Sequence, residues 1–495
     1  MLFRIAATSA VGAIVLAVLG AVTGPDWSPQ PLPHPIDVET SSTVVGGAPE
    51  HGVGQFEVES EVVPIELDGT RVQARLLTPV GAAEPVPAAV FVHGAGTGRF
   101  ADAFGDQARE LAAAGIATLV PDKRLDTYST RHRDYVGMAA DYARSVEALR
   151  AVDGVDARRV GIYAESEGGW IAPVMAAQDP SIAFVVLASA PVVPPRQQAA
   201  FAVDAYLRNT GVPLSVFRAI PRAVGMQFPG GGFEYADFDV QPWQQRVTQP
   251  VFMAYGTDDA SMPVVQAAQQ FIADAATAGN DQVTVRYYEG ANHGIKVDGA
   301  LATGFVRDLA TWVHGLPGTA AAPPRVAGAE PFQGYLAEEV PQPRWFGDGD
   351  LVLGVVIAGA ALIVLGPVIL LGGHLARRKV RLARGLSWPL AAFAAGCLGT
   401  VALLVWYLVA IARLALEYER NALVVQGGWV AVRLAGLVTV VALAVLVERS
   451  RVERAEPGGA LAAGRVGYVG AFSVLAGGTL LLVSLAYWGA FQLGI

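Results

Sequence analysis

A single cysteine, Cys397, stands in 495 residues, so the chain can form no intramolecular disulfide and no cysteine-based metal cluster. Stability rests on packing, although an oxidising compartment remains open to the chain, since such a compartment permits disulfides without requiring them. Charge is scarce too: Asp, Glu, Lys and Arg make up 16% of the residues, against about 25% in an ordinary soluble domain. The 35 basic and 44 acidic residues leave a net charge of −9, and no long basic run offers a track for phosphates. Nucleic acid is therefore not an expected partner. Only seven histidines are present, which leaves few candidates for a general base. What abounds is apolar: at 53% hydrophobic the chain is too greasy for one soluble domain of this length, and a membrane portion is expected.

The apolar residues are not spread evenly. Residues 1–24 place Arg4 before an apolar run reaching Val22, which suits an export signal or, with a slight preference, an uncleaved signal anchor. Residues 25–52 are rich in Pro, Gly and Ser, without periodicity, and read as a linker. From 53 to 316, short β-branched runs alternate with helical patterns, the rhythm of a largely parallel sheet covered by helices on both faces. Residues 192–249 break that rhythm with Pro, Gly and aromatics, and read as a small lid insertion. A second linker, 317–350, precedes a membrane domain, 351–495, with four runs (351–372, 388–411, 429–447 and 468–493) each long enough to span a bilayer as a helix. Arg377, Arg378, Lys379, Arg381 and Arg384 follow the first of these, and Arg449, Arg451, Arg454 and Arg465 follow the third. Basic loops stay in the cytoplasm, so alternation puts the α/β domain on the extracytoplasmic side of the cell membrane, in agreement with Arg4.

Four signals for chemistry fall within the α/β region. "GIYAESEGGW" puts Ser166 between a strand and a helix-compatible stretch, with small residues two positions either side, so a sharp turn can expose its hydroxyl beside a helix N-terminus. A helix N-cap is the bland reading of the same serine. Upstream, "VFVHGAG" ends a strand in a glycine-rich turn, whose Ala95 N–H could face a developing oxyanion together with the N–H of Glu167. Downstream, "GTDDASMP" sets Asp258 and Asp259 just past a strand end, able to orient an imidazole or merely to cap a helix. "YYEGANHG" then sets His293 in a loop after the last strand, with His132 and His314 as rivals. The order serine, aspartate, histidine, each at a strand's C-terminal end, is one arrangement of an acyl-transfer triad.

With "VFVHGAG", "VPDKR", "GIYAESEGGWIAP", "GTDDASMP" and "GANHG" in this order, residues 56–315 resemble the α/β-hydrolases of the serine esterase and serine aminopeptidase-like group. The resemblance implies an α/β-hydrolase domain with Ser166 as nucleophile, His293 as base and Ala95 and Glu167 as oxyanion donors. It also selects Asp259 over Asp258, because that residue lies three positions after Gly256 and four before Pro263. Two departures stand out: Ala164 replaces the elbow's first glycine, and the usual Asp-Lys-Arg-Gly-x-Gly-x-Ser becomes "DKRLDTYS". The implied activity is hydrolysis of carboxylic esters on a small-molecule or lipid-like acyl substrate, with no cofactor and no metal. A peptidase or acyltransferase would use the same residues, and a non-catalytic sensing ectodomain is the alternative of another class. No family resemblance attaches to the membrane helices, which are read as an anchor.

Overall fold

All seven residues of Val86–Val92 are buried, as a strand covered on both faces requires. This segment lies inside a nine-stranded sheet in the computed structural model of the chain. The structure describes every residue except Glu84, Thr97, Trp345, Lys379, Arg384, Glu417, Tyr418, Gly458 and 493–495, along with the side chain of Leu416. Lys379 and Arg384 of the first basic loop, and the last residue of the fourth apolar run, thus lie outside the described residues.

The strands are β1 (Glu57–Leu67), β2 (Thr70–Val80), β3 (Val86–Val92), β4 (Ala117–Pro121), β5 (Val155–Glu165), β6 (Val185–Ala188), β7 (Val251–Gly256), β8 (Val283–Tyr288) and β9 (Val326–Gly328). Their spatial order is β1-β2-β4-β3-β5-β6-β7-β8-β9. Only the β1–β2 and β2–β4 pairs are antiparallel; from β4 onward every neighbour is parallel. The chain leaves β3 for one neighbour and returns to the other, and such a reversal opens a crevice at the carboxyl ends of the strands. One core forms on each face of the sheet: Val90, Ile162 and Met253 point to one, and Phe91, Tyr163 and Phe252 to the other. Helices Tyr135–Arg150, Gly168–Gln178 and Val264–Thr277 supply residues to the first core, and Gly105–Ala113 and Phe305–Gly315 to the second.

The two stretches read as linkers are more ordered than their composition implies. Arg325–Ala329 pairs along β8, and the first stretch answers it, with Glu39 N–H donating to Val326 O and Gly328 N–H to Thr40 O. An exposed sheet edge would leave a row of unpaired amides, and these two segments satisfy it. Neither signals this in its residues, because a three-residue strand carries no detectable periodicity.

Contacts divide the chain into two compact units: Pro29–Ala202 with Gly231–Glu339, which holds the sheet, and Met1–Ser28 with Val203–Gly230 and Val340–Ile495. Among the described residues, the second unit contains five helices long and apolar enough to cross a membrane: Leu2–Val22, Gly349–Leu375, Ser387–Ala415, Leu423–Ala455 and Gly464–Tyr487. Gly359 and Gly366 face Gly477 and Gly470. A Cβ on Gly477 would fall 2.4 Å from Gly359 O, and one on Gly366 would fall 2.7 Å from Gly470 O. In lipid, where apolar side chains gain little by leaving their surroundings, such close backbone approach through small residues is what holds helices together.

Val203–Gly230, half of the stretch read as a lid, belongs to this helical unit. It meets one end of all five helices. Arg222 donates to the carbonyls of Gly24, Pro25 and Tyr487, just past the first and last helices. Tyr206 reaches Glu419 O after the second long C-terminal helix, Ser215 accepts from Trp429 Nε1, and Gln227 O accepts from Gly349 N. The helices therefore run alternately up and down. The two basic loops lie at the opposite end, joined by backbone bonds from Ala383 N to Leu461 O and from Ala463 N to Arg381 O.

Candidate active site

β5 runs directly into Ser166, which has φ +53°, a left-handed conformation that costs a non-glycine residue about 1–2 kcal/mol. The turn is held from both sides: Ser166 N–H donates to Ala188 O, and Gly169 N–H to Ser166 O. It is also tight enough to require the two glycines that follow. A Cβ on Gly168 would meet Val92 O at 2.7 Å and one on Gly169 would meet Ala190 Cβ at 2.6 Å. Ala164, the departure from the elbow pattern, fits because Gly168 leaves its methyl room; a Cβ there would come within 3.2 Å of it. The helix Gly168–Gln178 starts two residues after the serine, and its N-terminal dipole favours negative charge there.

The two other triad candidates come together. His293 Nδ1 lies 2.8 Å from Asp259 Oδ2. The same carboxylate accepts from the Ser261 backbone N–H and hydroxyl through Oδ1. Burial works to raise the Asp259 carboxyl, but the His293 charge and the bonds from His293 and Ser261 outweigh it and hold the group below the usual range. Burial likewise pulls His293 down, and the Asp259 carboxylate more than compensates, leaving the imidazole above its ordinary value. The His293 side chain keeps 22% exposure. The loops carrying the pair are stitched to each other, with Asp258 N–H on Ala291 O and Gly290 N–H on Thr257 Oγ1. Asp258 is exposed, whereas Asp259 is buried.

The rival histidines have other partners. His314 stacks on His51 at 3.8 Å, and both rings reach Ala114 O; burial brings His314 down to about 4. His132 sits in a loop, its backbone N–H on Ser129 Oγ. His93 of "HGAG" is fully buried, reaches Pro121 O through Nε2 at 2.7 Å, and is brought down to about 4 by burial, so it is a neutral tie between the ends of β3 and β4.

Gly94 lies against the serine: a Cβ there would be 3.1 Å from Ser166 Cβ and 3.7 Å from its Oγ. Ala95 follows at an exposed turn. Glu167, whose N–H is the other candidate donor, buries its carboxylate in a cluster that the sequence reading did not anticipate. Lys123 Nζ donates to Oε2 at 2.9 Å, Arg133 Nη1 to Oε1 at 2.6 Å, and the hydroxyls of Tyr128 and Tyr135 also reach it. Lys123 belongs to "DKR", and Tyr128 and Arg133 follow in the loop that lost its glycines. The Tyr128 ring lies 4.4 Å from the Lys123 ammonium. The only cue in the sequence was that two acids flank Ser166 in "ESE".

The first of those acids, Glu165, is different. Its Oε2 is buried without a hydrogen-bond partner among the described residues, and burial pushes the carboxyl up to about 7 despite the opposing charges of His293 and Lys296. Between the ordinary carboxyl range and about 7, the folded protein holds a proton that the unfolded chain has released. Stability therefore falls as pH rises through that window, by about 3 kcal/mol at most. Glu165→Gln is expected to unfold at the wild-type temperature near pH 5 and above it near pH 8, read by tryptophan fluorescence. A difference that does not change with pH would show that Glu165 does not titrate there.

Residues 142–298 match the family model described as BAAT / acyl-CoA thioester hydrolase C terminal, a span that includes Ser166, Asp259 and His293. No curated protein sequence matches the chain. Among solved structures, the dienelactone hydrolase of Anabaena variabilis is similar at 17% identity and TM-score 0.36, over 52% of this chain and 97% of that one. Est1E from Butyrivibrio proteoclasticus is 17% identical at TM-score 0.33, over 48% and 91%. The acylaminoacyl peptidase of Pyrococcus horikoshii is 15% identical at TM-score 0.37, over 51% and 40%. The strand order, the left-handed serine at the end of β5 and the match of residues 142–298 give the sheet-bearing unit an α/β-hydrolase-like fold, in a chain that also carries a set of long apolar helices.

Proposed function

We propose that this protein is a membrane-anchored serine hydrolase that cleaves carboxylic esters through Ser166, His293 and Asp259. The observation that carries the reading is the 2.8 Å contact between His293 and Asp259, 34 residues apart, just past the ends of β8 and β7, in the same parallel sheet whose β5 presents Ser166 in a left-handed turn. With Nδ1–H donated to Asp259, the imidazole carries its lone pair on Nε2, the atom that accepts the serine proton. The Ser166 oxygen then attacks the acyl carbonyl, and the N–H groups of Ala95 and Glu167 stabilise the oxyanion. The imidazolium protonates the leaving alkoxide, an acyl-enzyme remains, and water activated by the same histidine releases the acid.

The hydrolase domain lies outside the cell in this reading. Arg4 and the two basic loops share one end of the helical unit, which is the cytoplasmic end by the positive-inside rule. Val203–Gly230, spliced into the hydrolase sequence, meets the other end. The helices serve as the anchor.

The test is labelling of the full-length protein with a fluorophosphonate probe, followed by a panel of a p-nitrophenyl ester, an acyl-CoA thioester and an aminoacyl anilide. Modification at Ser166 with fastest turnover of the ester is expected. The thioester is included because of the family matched by residues 142–298, and its preference would replace the ester. Absence of labelling would favour a sensing ectodomain instead.

A further inference from the structure

The ammonium of Lys123 bridges two groups on different elements. Nζ donates to Gly94 O at 2.8 Å and to Glu167 Oε2 at 2.9 Å. Lys123 is 3% exposed and Glu167 1%, so water does not compete for either bond, and a charge-assisted bond in such surroundings is short and directional. Gly94 O belongs to the peptide unit whose N–H is that of Ala95. A trans peptide is planar, with its C=O and N–H pointing in opposite directions, so holding the carbonyl fixes the direction of the Ala95 N–H. Glu167 supplies the other N–H from its own backbone. Its side chain is locked by Lys123, by Arg133 at 2.6 Å and by two tyrosine hydroxyls.

We infer that Lys123 is a positioning residue that ties the two halves of the oxyanion hole into one unit, setting the Ala95 N–H through the Gly94 carbonyl and the Glu167 N–H through its side chain. It touches no reacting atom. The inference rests on the serine-hydrolase reading above. Its geometric basis is that the two donors come from separate loops, after β3 and after β5, with no backbone continuity to keep their spacing. Preorganised donors contribute only if they already point at the site of the developing charge, and a buried cation between the loops provides that. The backbone of Lys123 is itself held, with its N–H on Gly98 O, and the neighbouring Asp122 carboxylate accepts from Phe100 N–H. The "DKR" segment thus grips the whole turn after β3.

Lys123→Met, which keeps the length and removes the donors, tests this in the full-length enzyme. With p-nitrophenyl butyrate, kcat should fall roughly 10- to 100-fold, somewhat less than the loss of an oxyanion donor itself, with KM within about twofold. Inhibition by a trifluoromethyl ketone, whose serine adduct carries an oxyanion, should weaken by the same factor as kcat. Lys123→Met leaves Glu167 short of a partner and could fail to fold. The double variant Lys123→Met/Glu167→Gln relieves that charge and should keep the same defect, since the Lys123 bond to the Gly94 carbonyl is still removed. Wild-type kcat in either folded variant, or a rise in KM alone, would overturn the assignment while leaving the triad standing. An active Ser166→Ala enzyme in the same assay would overturn both.

Discussion

Ser166→Ala is expected to lower turnover of short p-nitrophenyl esters by roughly a thousand- to a million-fold, the range seen when the nucleophile of a serine triad is removed. Residual hydrolysis would come from oxyanion binding and orientation, which survive loss of the nucleophile. Folding should not suffer. The turn is held by the backbone bonds of residues 166 and 169, and alanine differs from serine by one oxygen. Alanine tolerates the left-handed φ of +53° about as poorly as serine, so the strain stays and only the chemistry goes. The check is steady-state turnover together with the unfolding temperature, both compared with wild type. A variant as active as wild type would remove Ser166 from the reaction and, with it, the reason for the elbow's strain.

Ser166 could be picked out in the sequence because an elbow is a local device, written in consecutive small residues between a strand run and a helix run. Asp259 and His293 were legible for the same reason: each lies just past a β-rich run, and the parallel strands bring their ends together. The cluster around Glu167 was not legible. Lys123, Tyr128, Arg133 and Tyr135 come from a loop and a helix start more than thirty residues upstream, and nothing in local pattern announces that a charged side chain will turn inward. In the same way, "DKRLDTYS" read as a loop that had lost its glycines, whereas two of the side chains around it, Tyr128 and Arg133, now cover the buried charge. Apolar length revealed the membrane helices but not what covers their ends. Val203–Gly230 is broken by Pro and Gly, which suits a lid as well as a segment lying across helix ends, and it is long-range contacts such as Arg222 with Tyr487 O that group it with the helices. Val326–Gly328 is the shortest case, three residues of strand identified only by the edge they complete.

Asp259→Asn should lower kcat by roughly 10⁴-fold and move the acid limb of the pH profile downward. The rate falls because an asparagine amide offers His293 Nδ1 either a donor or a weaker acceptor, so the tautomer with its proton on Nδ1 is no longer enforced and the imidazolium formed on proton transfer loses its counter-charge. The direction of the pH shift follows from the balance at His293. Burial lowers its affinity for a proton, and the Asp259 carboxylate raises it by more. With the carboxylate gone only the lowering influence of burial and the smaller raising influence of Glu165 remain, so the imidazole stays neutral to a lower pH. Glu165 is itself half-protonated near 7, which makes its contribution weakest at the acid end where the limb is read. A profile of kcat/KM for p-nitrophenyl butyrate between about pH 5 and 9, on wild type and variant, separates the two effects: the plateau reports the lost orientation and the limb reports the lost charge. An unchanged acid limb with a lowered plateau would mean that another group sets the His293 proton affinity, with Glu165 the first to test through Glu165→Gln. An unchanged plateau would mean that Ser261, which shares the Asp259 carboxylate, or another acceptor orients His293 without it.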